Sequence, residues 1–200
     1  MGWFSKSVTI EAQLVELTRA GIRANAGVGE QDLCAFHTRA EIEAAPYRYL
    51  IEVLGIDIER EPFTPMCDRL WMCDFERIED HGSYAEVLER LERMTGGVLR
   101  LAAIRDHVDI EGEIAWLEFE HGSRTVKWEF EVNDDWLDPV LLRRYQHLLG
   151  QAGGPMRLFI NERDYGQSAL LGAFAPEEKA AFDFVSKVKL VTVEAERSET

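Results

Sequence analysis

The stretch Ile114–Glu131, IAWLEFEHGSRTVKWEFE, decides the fold. Gly122-Ser123 reads as a two-residue turn, since glycine at the first position permits type II′ geometry; this places Phe119 opposite Val126, Leu117 opposite Trp128 and Ala115 opposite Phe130. Successive side chains of a strand point to opposite faces, so these six residues share one apolar side. Ile114, Trp116, Glu118 and Glu120, with Thr125, Lys127, Glu129 and Glu131, fall on the other side. A carboxylate buried there without partners would be strongly destabilising, so this row is expected to meet water or a cationic ligand.

Acid gathers around the hairpin. The 33 residues from Asp106 to Asp138 hold eleven carboxylates and two bases, which is nine of the fifteen excess negative charges of the chain. Like charges repel in the compact state, and the commonest use of such a face is to steer a basic partner into contact.

Outward from the hairpin, helices and strands mix rather than alternate strictly. Ile10, Leu14 and Leu17 lie at i, i+4 and i+7, and Gly21 stands where that helix would stop. Thr38 and Glu41 form a capping box, and Tyr47, Leu50, Ile51 and Leu54 form an apolar stripe between Pro46 and Gly55. Glu59 to Pro65 reads as a connection, and Leu70 to Phe75 as a short buried strand. Ser83 and Glu86 read as a second capping box, opening a helix with Tyr84, Val87, Leu88, Leu91 and Met94 on one face and Gly96-Gly97 at its end. Val98 to Ile104 is expected to continue as a strand. Asp138-Pro139 reads as an N-cap and first helical position ahead of Val140, Leu141, Tyr145, Leu148 and Leu149. Two strands (Met156 to Ile160, Ala169 to Phe174), a helix from Pro176 and a last strand (Val188 to Val193) complete the pattern, with a frayed tail from Glu194.

The expected fold class is therefore α+β: a twisted, largely antiparallel sheet with helices packed on one face and a helical N-terminal part. The reading is of one domain over residues 1–200, residues 1–62 helical and 63–195 containing the sheet. With 46% hydrophobic residues, ten phenylalanines and five tryptophans, the chain can bury a core unaided.

Composition also excludes partners. A net charge of −15 and a pI near 4.8 argue against nucleic acid and anionic membrane, both of which need a basic footprint. The start, Met1-Gly2-Trp3-Phe4-Ser5-Lys6, leads at once into an amphipathic pattern with Glu11 and Glu16, so a cytoplasmic location is expected. Three cysteines fit reduced thiols better than a disulfide framework.

Four chemistries can be weighed. Cys34, His37, Cys67 and Cys73 are zinc-ligand types, but their spacing lacks the two tight pairs of a structural site. His37, His81, His107, His121 and His147 are too scattered to select a catalytic base, and neither a Gly-x-Ser-x-Gly elbow nor a phosphate-cradling glycine loop is present. Asp134, Asp135 and Asp138 could coordinate a hard cation, yet the glycine turn and bidentate glutamate of a calcium loop are missing, and negative charge ahead of a helix is sufficient duty for them. The acidic hairpin face remains. There Trp116 among Glu118, Glu120, Glu129 and Glu131, extended by Asp134, Asp135 and Trp136, has the form of an aromatic anchor inside a docking surface for an electropositive partner.

Cys67-Asp-Arg-Leu-Trp71, Glu79-Asp-His-Gly-Ser-Tyr84, Val132-Asn-Asp-Asp-Trp-Leu-Asp-Pro139 and Asp164-Tyr-Gly-Gln-Ser168 together resemble small acidic bacterial immunity proteins of polymorphic toxin systems, over roughly residues 65 to 185. The resemblance implies an inhibitor that binds a cognate protein toxin, with no catalytic role carried over to these motifs; the acidic face leads to the expectation of a basic toxin such as a nuclease, occluded without metal or cofactor. The alternative is a small cytoplasmic enzyme whose site assembles from dispersed residues.

Overall fold

The computed structural model describes residues 7–60, 63–161 and 166–195. Along the chain the helices are α1 (Ile10–Leu17), α2 (Glu30–Leu33), α3 (Arg39–Ala44), α4 (Arg48–Leu54), α5 (Ser83–Met94), α6 (Val140–Gln151) and α7 (Pro176–Val185). The strands are β1 (Asp57–Ile58), β2 (Thr64–Pro65), β3 (Leu70–Asp74), β4 (Ala102–Asp109), β5 (Ile114–His121), β6 (Arg124–Phe130), β7 (Arg157–Asn161), β8 (Ser168–Phe174) and β9 (Leu190–Thr192). The fold class is α+β, as the sequence leads one to expect. Its strands form three sheets: β1-β2, β3-β8-β7-β9 and β4-β5-β6.

These elements form two compact units. The first takes the described parts of Met1–Met72, Phe159–Arg163 and Leu170–Val191. Thr38 and Glu41 make the expected capping box at α3, with the Glu41 carboxylate accepting from the Thr38 N–H at 2.8 Å. Leu50, Ile51, Val53 and Leu54 of α4 are buried, and α1 ends through a 3-10 turn at Gly21, whose φ of 73° favours glycine. Gln13 is fully buried yet satisfied, donating to the Val8 and Ile42 carbonyls and accepting from the Tyr47 N–H. Around α7, Phe182 packs on Phe174, ring centroids 5.1 Å apart.

The second unit takes the described parts of Cys73–Leu158, Asp164–Ala169 and Thr192–Thr200. Here the hairpin has the register its turn dictates: β5 and β6 pair antiparallel with Ala115 opposite Phe130, Leu117 opposite Trp128 and Phe119 opposite Val126. Leu117 and Phe119 are fully buried, and Ala115, Trp128 and Phe130 nearly so. Helices α5 and α6 cover that face. Tyr84 of α5 stacks on Phe130 with centroids 4.2 Å apart, and the guanidinium of Arg144 of α6 lies 5.8 Å from the same ring. The two helices are joined through Tyr145, whose hydroxyl is 2.6 Å from that of Thr95 and donates to Glu92 at 2.9 Å.

Three expectations need correction. The strand after α5 is not Val98 to Ile104; β4 begins at Ala102 and runs to Asp109, with a bulge between Ala102 and Arg105. Arg100 and Ala103 have positive φ, which breaks extended pairing where the apolar run suggested it, while the strand proper carries the alternating polar residues of a sheet edge open to water on one side. Nor does Ser83 cap α5: its hydroxyl accepts from the Glu79 and Asp80 N–H groups, and the carboxylate of Asp106 on β4 takes the helix N-terminus instead. Asp138 does serve α6, accepting from the Val140 N–H at 2.9 Å, although Pro139 rather than Asp138 is the residue at the cap itself. Beyond Ala195 the expected frayed tail lies outside the described residues, as do residues 61–62 of the expected connection. Among the described residues no helix is long and apolar enough to cross a membrane.

Candidate functional site

The outward row of the three-stranded sheet is built column by column. Arg105 of β4 lies opposite Glu118 of β5, which lies opposite Lys127 of β6; in the next column His107, Trp116 and Glu129 stand side by side. In these columns Glu118 and Glu129 sit beside an opposite charge or an aromatic ring, whereas Glu120 lies between Ala102 and Thr125. Arg105 Nε donates to Glu118 Oε1 at 2.9 Å, and the Lys127 ammonium is 3.7 Å from Glu129. That ammonium also lies 4.9 Å from the centre of the Trp116 ring, while His107 stacks on the other side of the indole at 5.8 Å and 19°. His81, from the loop before α5, continues the row 4.6 Å from His107 and accepts from the Val108 N–H through Nδ1 at 3.1 Å.

The indole of Trp116 is thus half-buried, held between an imidazole and an ammonium. Glu118 is half-buried too, whereas Glu120 and Glu131 are exposed and the Glu129 side chain keeps 81% of its surface accessible. The carboxylate row faces out from the sheet. It is less uniformly acidic than the sequence suggests, because Arg105 and His107 arrive from β4 and Lys127 reaches across. Arg105, His107 and Asp109 recur every second residue, a period that marks a half-exposed strand and was legible in the chain.

Of the eleven carboxylates in the acidic segment, four have structural work. Asp106 caps α5, Glu118 pairs with Arg105, Asp109 accepts from the Gly112 N–H in the β4–β5 turn, and Asp138 accepts from Glu131 N–H and Val140 N–H. The other seven stay at the surface: Glu111 and Glu113 exposed in the β4–β5 turn, and a rim of Glu120, Glu129, Glu131 and Asp134 exposed with Asp135 partly covered.

The segment from Glu131 to Asp138 places the remaining predicted residues. Its backbone is tied down at every turn: Arg77 and Ile78 N–H donate to the Asp135 carbonyl at 3.0 and 2.8 Å, Leu137 N–H to the Phe75 carbonyl at 2.7 Å, and Trp136 N–H to the Asn133 carbonyl at 3.0 Å. Asp134 adopts a φ of 52°, a left-handed conformation that aspartate tolerates better than most residues. Trp136 is left 38% exposed, beside a cavity of about 540 Å³ lined by Phe75, Glu131, Asn133, Leu137, Asp138 and Pro139. Glu131 therefore belongs both to the end of the hairpin row and to the Trp136 cavity.

The nucleophile candidates are placed for packing. Cys67 and Cys73 are buried, and burial pushes the Cys73 thiol up to about 12, which keeps it protonated and unreactive at neutral pH. His37 stacks on Tyr49 at 4.1 Å. Among the described residues no group of three or more His, Cys, Asp or Glu side chains is placed to hold a metal ion. Comparison with known proteins finds no matching family model, no matching curated protein and no matching solved structure.

Proposed function

We propose that the protein is an inhibitor of the immunity type, which binds and occludes a basic cognate bacterial toxin in the cytoplasm through the outward row of β4-β5-β6 and its acidic rim. One observation carries this reading: the Ala115–Phe130 register turns Trp116 and Glu129 outward from a sheet whose other face is sealed by α5 and α6. A partly exposed indole fixed between Lys127 and His107 loses little conformational freedom on binding, which suits it to the centre of an interface. The exposed carboxylates of Glu120, Glu129, Glu131 and Asp134 supply a negative field that accelerates encounter with a positive cleft.

The test is capture from native lysate at low and high salt, followed by identification of the captured protein and measurement of its toxicity with and without equimolar inhibitor. A basic protein held at low salt, shed at high salt and silenced at one-to-one stoichiometry supports the proposal. A captured partner that is acidic, or that keeps its activity when saturated, contradicts it.

A further inference from the structure

The cavity beside Trp136 carries an inference that rests on the proposed basic partner and gives it a particular side chain. The backbone around the cavity is tied by hydrogen bonds. Asp135, Trp136 and Leu137 are each held by a backbone hydrogen bond, and Asp138 is fixed twice over, accepting from the Glu131 and Val140 N–H groups while its own N–H donates to the Tyr84 hydroxyl at 3.3 Å. A loop so fully tied would be expected to tuck its largest apolar side chain inward, yet Trp136 stands 38% exposed at the mouth of an open space of about 540 Å³.

The lining states what would fill that space. Trp136 and Phe75 give aromatic surface, Leu137 and Pro139 an aliphatic floor, and Glu131 a carboxylate that no ion pair or hydrogen bond engages among the described residues. The other carboxylate, Asp138, already accepts two backbone N–H groups. An aromatic wall with one uncommitted carboxylate fits a flat cation on an apolar stem: the guanidinium stacks on an indole and forms a two-point pair with a carboxylate, and its methylenes cover the floor. A lysine ammonium offers a point charge with stronger hydration and no planar face, and so matches the lining less well.

We propose that this cavity is the seat of an arginine side chain from the partner, its guanidinium against Trp136 and paired with Glu131. The site is separate in its chemistry from the Trp116 row, where the indole is already occupied by the Lys127 ammonium at 4.9 Å.

The experiment titrates isotopically labelled protein with N-acetyl-arginine methylamide and, in parallel, with the lysine and citrulline analogues, following the Trp136 indole N–H by nuclear magnetic resonance. The expected result is a saturable shift with arginine, at least about threefold weaker binding of lysine, and no binding of the neutral citrulline analogue. Glu131→Gln should weaken arginine binding about fivefold while leaving the rest of the spectrum in place, and Trp136→Leu should abolish the response at the other cavity residues. Equal binding of citrulline, equal binding of lysine, or an arginine affinity indifferent to Glu131→Gln overturns the proposal. Because the probes contain no partner protein, their failure leaves the wider docking surface to be judged by capture alone; loss of capture alongside intact arginine binding would sink the surface and spare the cavity.

Discussion

Asp106 holds the first turn of α5 from a strand more than twenty residues away, its Oδ2 accepting from the Tyr84 N–H at 2.8 Å and from Ala85 at 3.1 Å, with Oδ1 accepting from Gly82. A carboxylate at a helix N-terminus satisfies orphan N–H groups and opposes the positive end of the helix dipole. Asp106→Ala is therefore expected to cost about 1–2 kcal/mol in chemical denaturation, and Ser83→Ala distinctly less. Equal losses for the two variants would mean that the local box, rather than the strand-borne carboxylate, caps the helix.

The phenols of Tyr84 and Tyr145 should resist ionisation. Burial pushes Tyr84 up to about 12, and burial beside Glu92 raises Tyr145 as well. A folded-state value above the unfolded value of about 10 means that the contribution of these groups to stability is complete below pH 10 and is lost as pH rises through the folded values. Alkaline titration followed at 295 nm should show these two residues ionising only with unfolding between about pH 10 and 12. Ionisation of every tyrosine near pH 10 with the fold intact would contradict their burial.

Removal of the Tyr145 hydroxyl separates its hydrogen bonds from its packing. Thr95 retains the Leu91 and Glu92 carbonyls as acceptors and Glu92 Oε1 retains the Arg100 N–H, so the loss falls on Glu92 Oε2, on a residue that is only half-buried. Tyr145→Phe should destabilise by only about 1 kcal/mol, whereas Tyr145→Ala, which also empties core volume, should cost about 3–5 kcal/mol. Denaturant midpoints at constant m-value distinguish the two.

Thiol labelling tests the packing of the cysteines. Cys34 is partly exposed, while Cys67 and Cys73 are fully buried, so an aromatic disulfide reagent should modify one thiol under native conditions and the other two only with unfolding. Rapid native labelling of all three would show that the strand around Cys73 opens freely.

The parts of the fold legible in the sequence are those set by short-range chemistry. Gly122-Ser123 fixed the register of the seven residue pairs of β5 and β6, since a turn and a two-residue period leave little choice, and Thr38 with Glu41 announced α3 because both partners of the capping box lie within one turn. The capping of α5 was illegible for the opposite reason. Ser83 and Glu86 have the right spacing, but Asp106 competes from another strand, and only the tertiary fold brings it there. The candidate site divides in the same way. Its outward row could be read from alternation, whereas its electrostatics could not: Arg105 neutralises Glu118 only because β4 pairs with β5, and His107 reaches Trp116 by the same pairing. Counting acid from Asp106 to Asp138 thus overstated the charge of the outward row, because Arg105, one residue outside that segment, pairs with Glu118.

The central claim, that an acidic rim around Trp116 steers and holds a basic protein, is tested most directly by the association rate of the captured partner as a function of salt, for the native protein and for the triple variant Glu120→Gln, Glu129→Gln, Glu131→Gln. These three side chains stand at the surface, so the variant should keep its fold and unfolding midpoint. The native rate should fall by about tenfold or more between low and molar salt, where screening shortens to about 3 Å, and the variant should start lower and depend on salt less steeply. A variant that binds as fast and as tightly as the native protein at low salt would contradict the claim.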